Sequence, residues 1–217
     1  MDPRQSYVFV PQARQRDLTH WLSDDAARIT PDNVTTALRS MAGNRSQYRG
    51  MAGAALGTGV SFTGLGILGW ISGGGPGLLI GLSSPGLALA VLGALIFRRV
   101  RKRMPKVAGM AASRGPGNFR SGLGATAFFA LIVGAMSYPL STRLLEQGPE
   151  GFTLLVGYAV MVLVFIGSVF TVPAYFIEHA ARDFRADIAA SPGLRQSLEE
   201  MSLTWRDPVG AREFGPL

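Results

Sequence analysis

The chain has 217 residues, 47% of them apolar and only 16% charged, with no cysteine, 28 glycines and a mean hydropathy of +0.24. That balance excludes a disordered tail, a disulfide scaffold and a typical soluble enzyme, and the lack of cysteine removes thiolate zinc sites, cysteine nucleophiles and cysteine-ligated clusters. The formal net charge is +7, and 19 of the 21 basic residues are arginine.

Residues 1–50 form a polar N-terminal arm. Tyr7, Val8, Phe9 and Val10, stopped by Pro11, could add as a strand to a neighbour's sheet edge or remain in an unstructured tail. Over residues 18–29, Leu18, Trp21, Leu22, Ala26 and Ile29 share one helical stripe, which predicts a short amphipathic helix. Thr30 then offers an N-cap with Pro31 at the first helical position, and Val34, Leu38 and Met41 make the next stripe. Two helices of this size cannot bury a core alone and need a surface to lie on. The first carries more acid than base, which argues against anionic headgroups, so a protein partner touching Trp21 and Leu22 is expected.

No apolar run of signal-peptide length precedes Met51, so the first membrane segment is expected to serve as the targeting element. Four runs contain no Asp, Glu, Lys, Arg or His: 51–72, 78–97, 122–142 and 152–177. At about 1.5 Å per residue, roughly 20 helical residues cross the hydrocarbon core, and each run reaches that length. The fold class expected is therefore an all-α integral membrane protein of four transmembrane helices, as hairpins 51–97 and 122–177, with short amphipathic helices in both arms.

Twelve glycines lie between Gly53 and Gly86. Gly53, Gly57 and Ser61, with Gly59 on a neighbouring stripe, make small-residue steps on the first span, and Gly77 and Gly81 repeat the device on the second. Such steps let a helix backbone approach closely, within this bundle or from a partner subunit. Ser83, Ser84, Pro85 and Gly86 interrupt the second span, predicting a kink or, as an alternative, a broken helix lining a solute site. No acid or histidine lies in any span, where proton or cation coupling usually leaves one. The Gly-Gly-Gly-Pro-Gly stretch reads as a tight hairpin turn.

The loop 98–121 carries Arg98, Arg99, Arg101, Lys102, Arg103, Lys106, Arg114 and Arg120 and no acid, so the rest of the chain sums to −1. Short loops that retain Lys and Arg stay on the cytoplasmic side, or in the matrix of a mitochondrion. The loop 73–77 is uncharged and the third connection holds Arg143, Glu146 and Glu150, so both belong outside. Both arms then share the basic loop's side. The same cations could hold anionic lipid such as cardiolipin, whereas nucleic-acid binding is disfavoured because Phe119 is the loop's one aromatic residue.

In the last span, Pro173 predicts a tilt or kink, and Tyr158, Tyr175 and Phe176 read as interfacial anchors, as Tyr138 does for the third. Through the C-terminal arm, residues 178–217, the helix continues over 179–190. Ser191 and Pro192 then start a last helix carrying Leu194, Leu198 and Met201 toward Trp205, and an extended tail follows. Leu198 and Trp205 are expected to touch a partner. His20 and His179 read as solvated interfacial residues, and no Gly-x-Ser-x-Gly or His-Glu-x-x-His motif occurs.

These features point to a non-catalytic accessory subunit of a larger complex in a bacterial or mitochondrial inner membrane, without cofactor or metal. Energy-transducing complexes come first as hosts, then secretion or conjugation machinery. The alternative is a small homo-oligomeric channel or carrier using a broken helix at Pro85 and Gly86.

Overall fold

The computed structural model describes residues 17–29, 36–102, 116–205 and 213–217. The helices are α1 (Leu18–Trp21), α2 (Asp24–Ile29), α3 (Ala37–Gly69), α4 (Gly75–Lys102), α5 (Phe119–Met136), α6 (Tyr138–Leu145), α7 (Pro149–Glu178), α8 (Ala180–Ala190) and α9 (Pro192–Thr204). No strand occurs among the described residues. Three helical segments are long and apolar enough to cross a membrane: Ala37–Val100, Phe119–Met136 and Pro149–Glu178. Their large apolar side chains, such as Ile80, Leu131 and Leu163, are mostly exposed, a surface that water does not tolerate and lipid does. This is the pattern of an integral membrane protein.

The first segment folds back on itself. A wide π-type turn over Trp70–Gly74 joins α3 to α4, and Gly73 (φ 87°) and Gly75 (φ 75°) take the left-handed backbone that glycine adopts without a Cβ clash. The helices then run antiparallel, because Gly93 meets Ala52 and Leu56 while Gly66 meets Ser83. The reversal, over Trp70–Gly74, overlaps the expected 73–77 loop and begins three residues before it. Through Pro85, α4 is continuous. The broken helix does not form: Gly86 is buried, and the Ser84 hydroxyl donates to Ile80 O at 2.6 Å, supporting the backbone beside the proline.

The third run also differs from its expected bounds of 122–142. Asn118 caps α5 by accepting from the Ser121 amide at 2.8 Å, so the helix starts at Phe119. It ends at Met136 because Pro139 has no N–H to continue the ladder. The chain resumes in α6, whose buried Leu144 lies against Gly151 at the start of α7. α7 runs uninterrupted through Pro173 to a cap at His179, where α8 begins.

The described chain divides into two units, Ser40–Phe184 and Met1–Arg39 with Arg185–Leu217. The second joins the two arms that the sequence leaves separate. There the predicted helix 18–29 is two pieces, since Ser23 accepts from the Ala26 amide at 3.3 Å and starts α2 anew. Thr36 accepts from the Arg39 amide at 3.1 Å and so caps α3, while its hydroxyl donates to Pro216 O at 2.6 Å. Ala37 and Leu38, whose amides have no partner within a helix, donate to Glu213 O and Phe214 O, each at 3.0 Å. The Leu217 amide donates to Trp21 O at 3.0 Å. The closing segment is therefore seated rather than extended into solvent, with Phe214 and Leu217 buried. Tyr7–Pro11, the Thr30 and Pro31 start and Val34 lie outside the described residues.

Candidate functional site

The glycines of α3 serve two neighbours. On one face, a Cβ added to Gly50 would come within 2.9 Å of Pro173 Cα, one on Gly53 within 2.7 Å of Val172 Cγ1, and one on Gly57 within 2.5 Å of Ser168 Cβ. These positions, with Gly64 against Met161, pack on α7 in antiparallel register. Gly59 and Gly66 instead meet α4 at Ala90 and Ser83. Ser61 is buried, and its hydroxyl donates to Gly57 O at 2.9 Å. Polar bonds pin the same contacts: Ser83 Oγ donates to Thr63 O at 3.2 Å, Thr58 and Ser168 hydroxyls lie 3.2 Å apart, and those of Thr126 and Thr171 lie 2.8 Å apart between α5 and α7. In apolar surroundings such a bond contributes about 1 kcal/mol.

On α4 the close packing falls on Gly86 and Gly93. A Cβ at Gly86 would stand 2.7 Å from Thr63 N and 2.8 Å from Gly59 O, and one at Gly93 would stand 2.7 Å from Ala52 O. Gly77 and Gly81 meet nothing within 4 Å, and Ser84 and Ala88, further along α4, are exposed as well. The sequence carries the signal for the internal face in Gly86, Ala90 and Gly93. It is masked there by the proline, which draws attention to a break.

At the other end of the helices from the α3–α4 turn, four rings form a row. Phe97 of α4 and Phe176 of α7 have centroids 6.1 Å apart, Tyr175 and Phe176 lie 5.8 Å apart, and Phe119 of α5 meets Tyr175 edge-on at 6.1 Å. Gly53 of α3 is at the same level, since its added Cβ would approach Phe176 Cε2 at 3.5 Å. Beside the row, Arg98 and Arg99 follow Phe97 on α4 and Arg120 follows Phe119 on α5, and all three are exposed. The nearby acids are engaged: Glu178 Oε2 accepts from the Phe119 amide at the positive end of α5, and Asp183 pairs with Arg182 at 3.2 Å. Hydrogen bonds from Arg182 to the Tyr175 hydroxyl, foremost, and to Asp183 hold its guanidinium above the usual arginine pKa, so it stays a cation. Arg101 and Lys102 lie in the last turn of α4, and Arg103, Lys106 and Arg114 fall outside the described residues.

Arg45 and Arg49 are buried on α3 and line a narrow crevice with Ser46, Ala180, Asp183 and Phe184. The crevice has no room for a water-sized guest, so it is a packed polar joint. His179 Nδ1 lies 2.8 Å from Tyr175 O, a contact that orients the ring. No group of three or more His, Asp or Glu side chains is assembled among the described residues.

The expected partner-contact residues sit in the joined arms. Leu198 is fully buried and therefore belongs to that unit's core. Trp205 packs on Phe214 with centroids 5.9 Å apart, and the Trp21 indole closes over Gly215. Leu22, half-buried, follows α1 and donates its amide to Leu18 O at 3.0 Å. No sequence periodicity marks residues 213–217, so nothing in the pattern indicated this seat.

The fold thus defines an all-helical chain with three apolar segments long enough to cross a membrane, closely packed through glycine, with an arginine rim at one end. Comparison with known protein families, with curated proteins and with solved structures finds no match to it.

Proposed function

We propose that this chain is a non-catalytic, four-span accessory subunit of a larger membrane complex. The observation that carries the reading is the open small-residue face of α4 at Gly77 and Gly81, in a fold that closes Gly57, Gly59, Gly86 and Gly93 against neighbours. On that face Pro85 has no N–H to give the Gly81 carbonyl, and hydrocarbon offers no donor in its place. A helix of another subunit supplies both close packing and a polar partner. Support for four crossings comes from the reversal at Gly73 and from length: Gly53 to Trp70, Phe97 to Gly75, Phe119 to Met136 and Tyr175 to Tyr158 each span about 25–33 Å at 1.5 Å per residue. The arginine rim and both arms then lie on the cytoplasmic or matrix side of an inner membrane. Energy-transducing complexes lead as hosts, with secretion or conjugation machinery second, and exposed surfaces of the joined arms contact their soluble parts.

The test is affinity purification of the tagged full chain in mild detergent, with mass spectrometry of what accompanies it. A stoichiometric set of larger subunits is expected, and loss of that set in Gly77→Val and Gly81→Val assigns it to the open face. Recovery of the chain alone overturns the reading.

A further inference from the structure

We propose that the rim of Arg98 and Arg99 on α4 and Arg120 on α5 binds the headgroup phosphates of anionic phospholipid, with the acyl chains lying against the aromatic row beneath. The three guanidinium groups are exposed and make no ion pair among the described residues. The acids that could neutralise them are committed elsewhere, Glu178 to the Phe119 amide and Asp183 to Arg182. Rings at Phe97, Phe119 and Tyr175 set the depth, since aromatic side chains settle at the boundary between headgroups and hydrocarbon. One ligand class offers phosphate and hydrocarbon in a single molecule. An acidic protein or a nucleic acid would match the charge and leave the exposed Phe119 and Tyr175 edges unfilled. Arginine also suits the ligand, because its planar fork holds phosphate oxygens in pairs. Arg182, which donates to the Tyr175 hydroxyl at 3.4 Å, is paired with Asp183 and so steadies the end of the row without adding net charge.

This inference rests on the reading of the chain as membrane-spanning, and the experiment separates the two. The full chain is incorporated into vesicles of phosphatidylcholine with 20% phosphatidylglycerol, tested for resistance to alkaline carbonate extraction, then transferred to mild detergent for native mass spectrometry of retained lipid. Extraction by carbonate sinks the membrane reading itself. With the chain inserted, enrichment of phosphatidylglycerol over its share of the vesicle is expected, weakening with salt as exposed charges are screened. Retention should fall about five-fold for each arginine replaced in Arg98→Gln, Arg99→Gln and Arg120→Gln. Lysine at the same three positions should restore part of it. Equal retention of the two lipids, or unchanged retention in the triple glutamine variant with helix content preserved by circular dichroism, overturns the inference. So does enrichment that is lost only on replacing Arg143, which lies in α6, between α5 and α7.

Discussion

Gly86 and Gly77 are nine residues apart on one helix, and their surroundings make them behave oppositely. A side chain at Gly86 collides with backbone atoms of α3, which cannot rotate away, so Gly86→Val should destabilise the isolated chain by about 1–3 kcal/mol. The readout is a lower denaturation midpoint in detergent. Gly77→Val meets open space, so the same melt should be unchanged while recovery of partner subunits drops. Glu178 makes a comparable point about a polar residue. Its carboxylate receives the first orphan amide of α5, so Glu178→Ala should speed hydrogen exchange at Phe119, whereas Glu178→Gln, which keeps an acceptor oxygen, should not.

For single helices, the capping residues decided the boundaries. Asn118, Thr36 and Ser23 start helices by accepting amides, and Pro139 ends α5, each through local chemistry that is visible in the sequence. Ser23 shows how such a signal is overlooked, because the apolar stripe from Leu18 to Ile29 continues across it. The start of α3 needs more than a cap, since the amides of Ala37 and Leu38 are satisfied by Glu213 and Phe214 from the far end of the chain. Deleting residues 213–217 should therefore leave these donors without acceptors at a cost of about 1–3 kcal/mol each. Hydrogen exchange should report lost protection over residues 37–40, with α9 largely intact. Thr36→Val should give a smaller effect at the same amides, about 1–2 kcal/mol, because it removes the cap and the hydroxyl's bond to Pro216 O but leaves the Ala37 and Leu38 amides bonded to Glu213 and Phe214.

At the scale of the whole molecule, the reversal at Gly73 and the ring row mark the two ends of the crossings in the proposed four-span reading. The absence of cysteine makes single-cysteine variants unambiguous reporters of side. In the four-span arrangement, Ile71→Cys and Gln147→Cys should react with an impermeant thiol reagent from one side of an oriented membrane, and Arg99→Cys and Leu203→Cys from the other. Reaction of Ile71 and Arg99 variants from the same side would refute the hairpin crossing.

The all-helical character and the presence of apolar segments of membrane length were determined by the sequence alone. A run of some twenty residues without a charge leaves a helix in hydrocarbon as its stable state, whatever lies beside it. The choice among glycines was not so determined. Gly77 and Gly81 make the same four-residue small step as Gly86 and Ala90, and only the antiparallel register of α4 on α3 decides which pair faces a neighbour. The same holds for the ring row, gathered from Phe97, Phe119, Tyr175 and Phe176, and for the joining of the two arms through residues 213–217. Periodicity reports what a residue prefers along its own helix. Which distant segment satisfies its backbone or covers its face is a property of packing, and it exists only once the chain has folded.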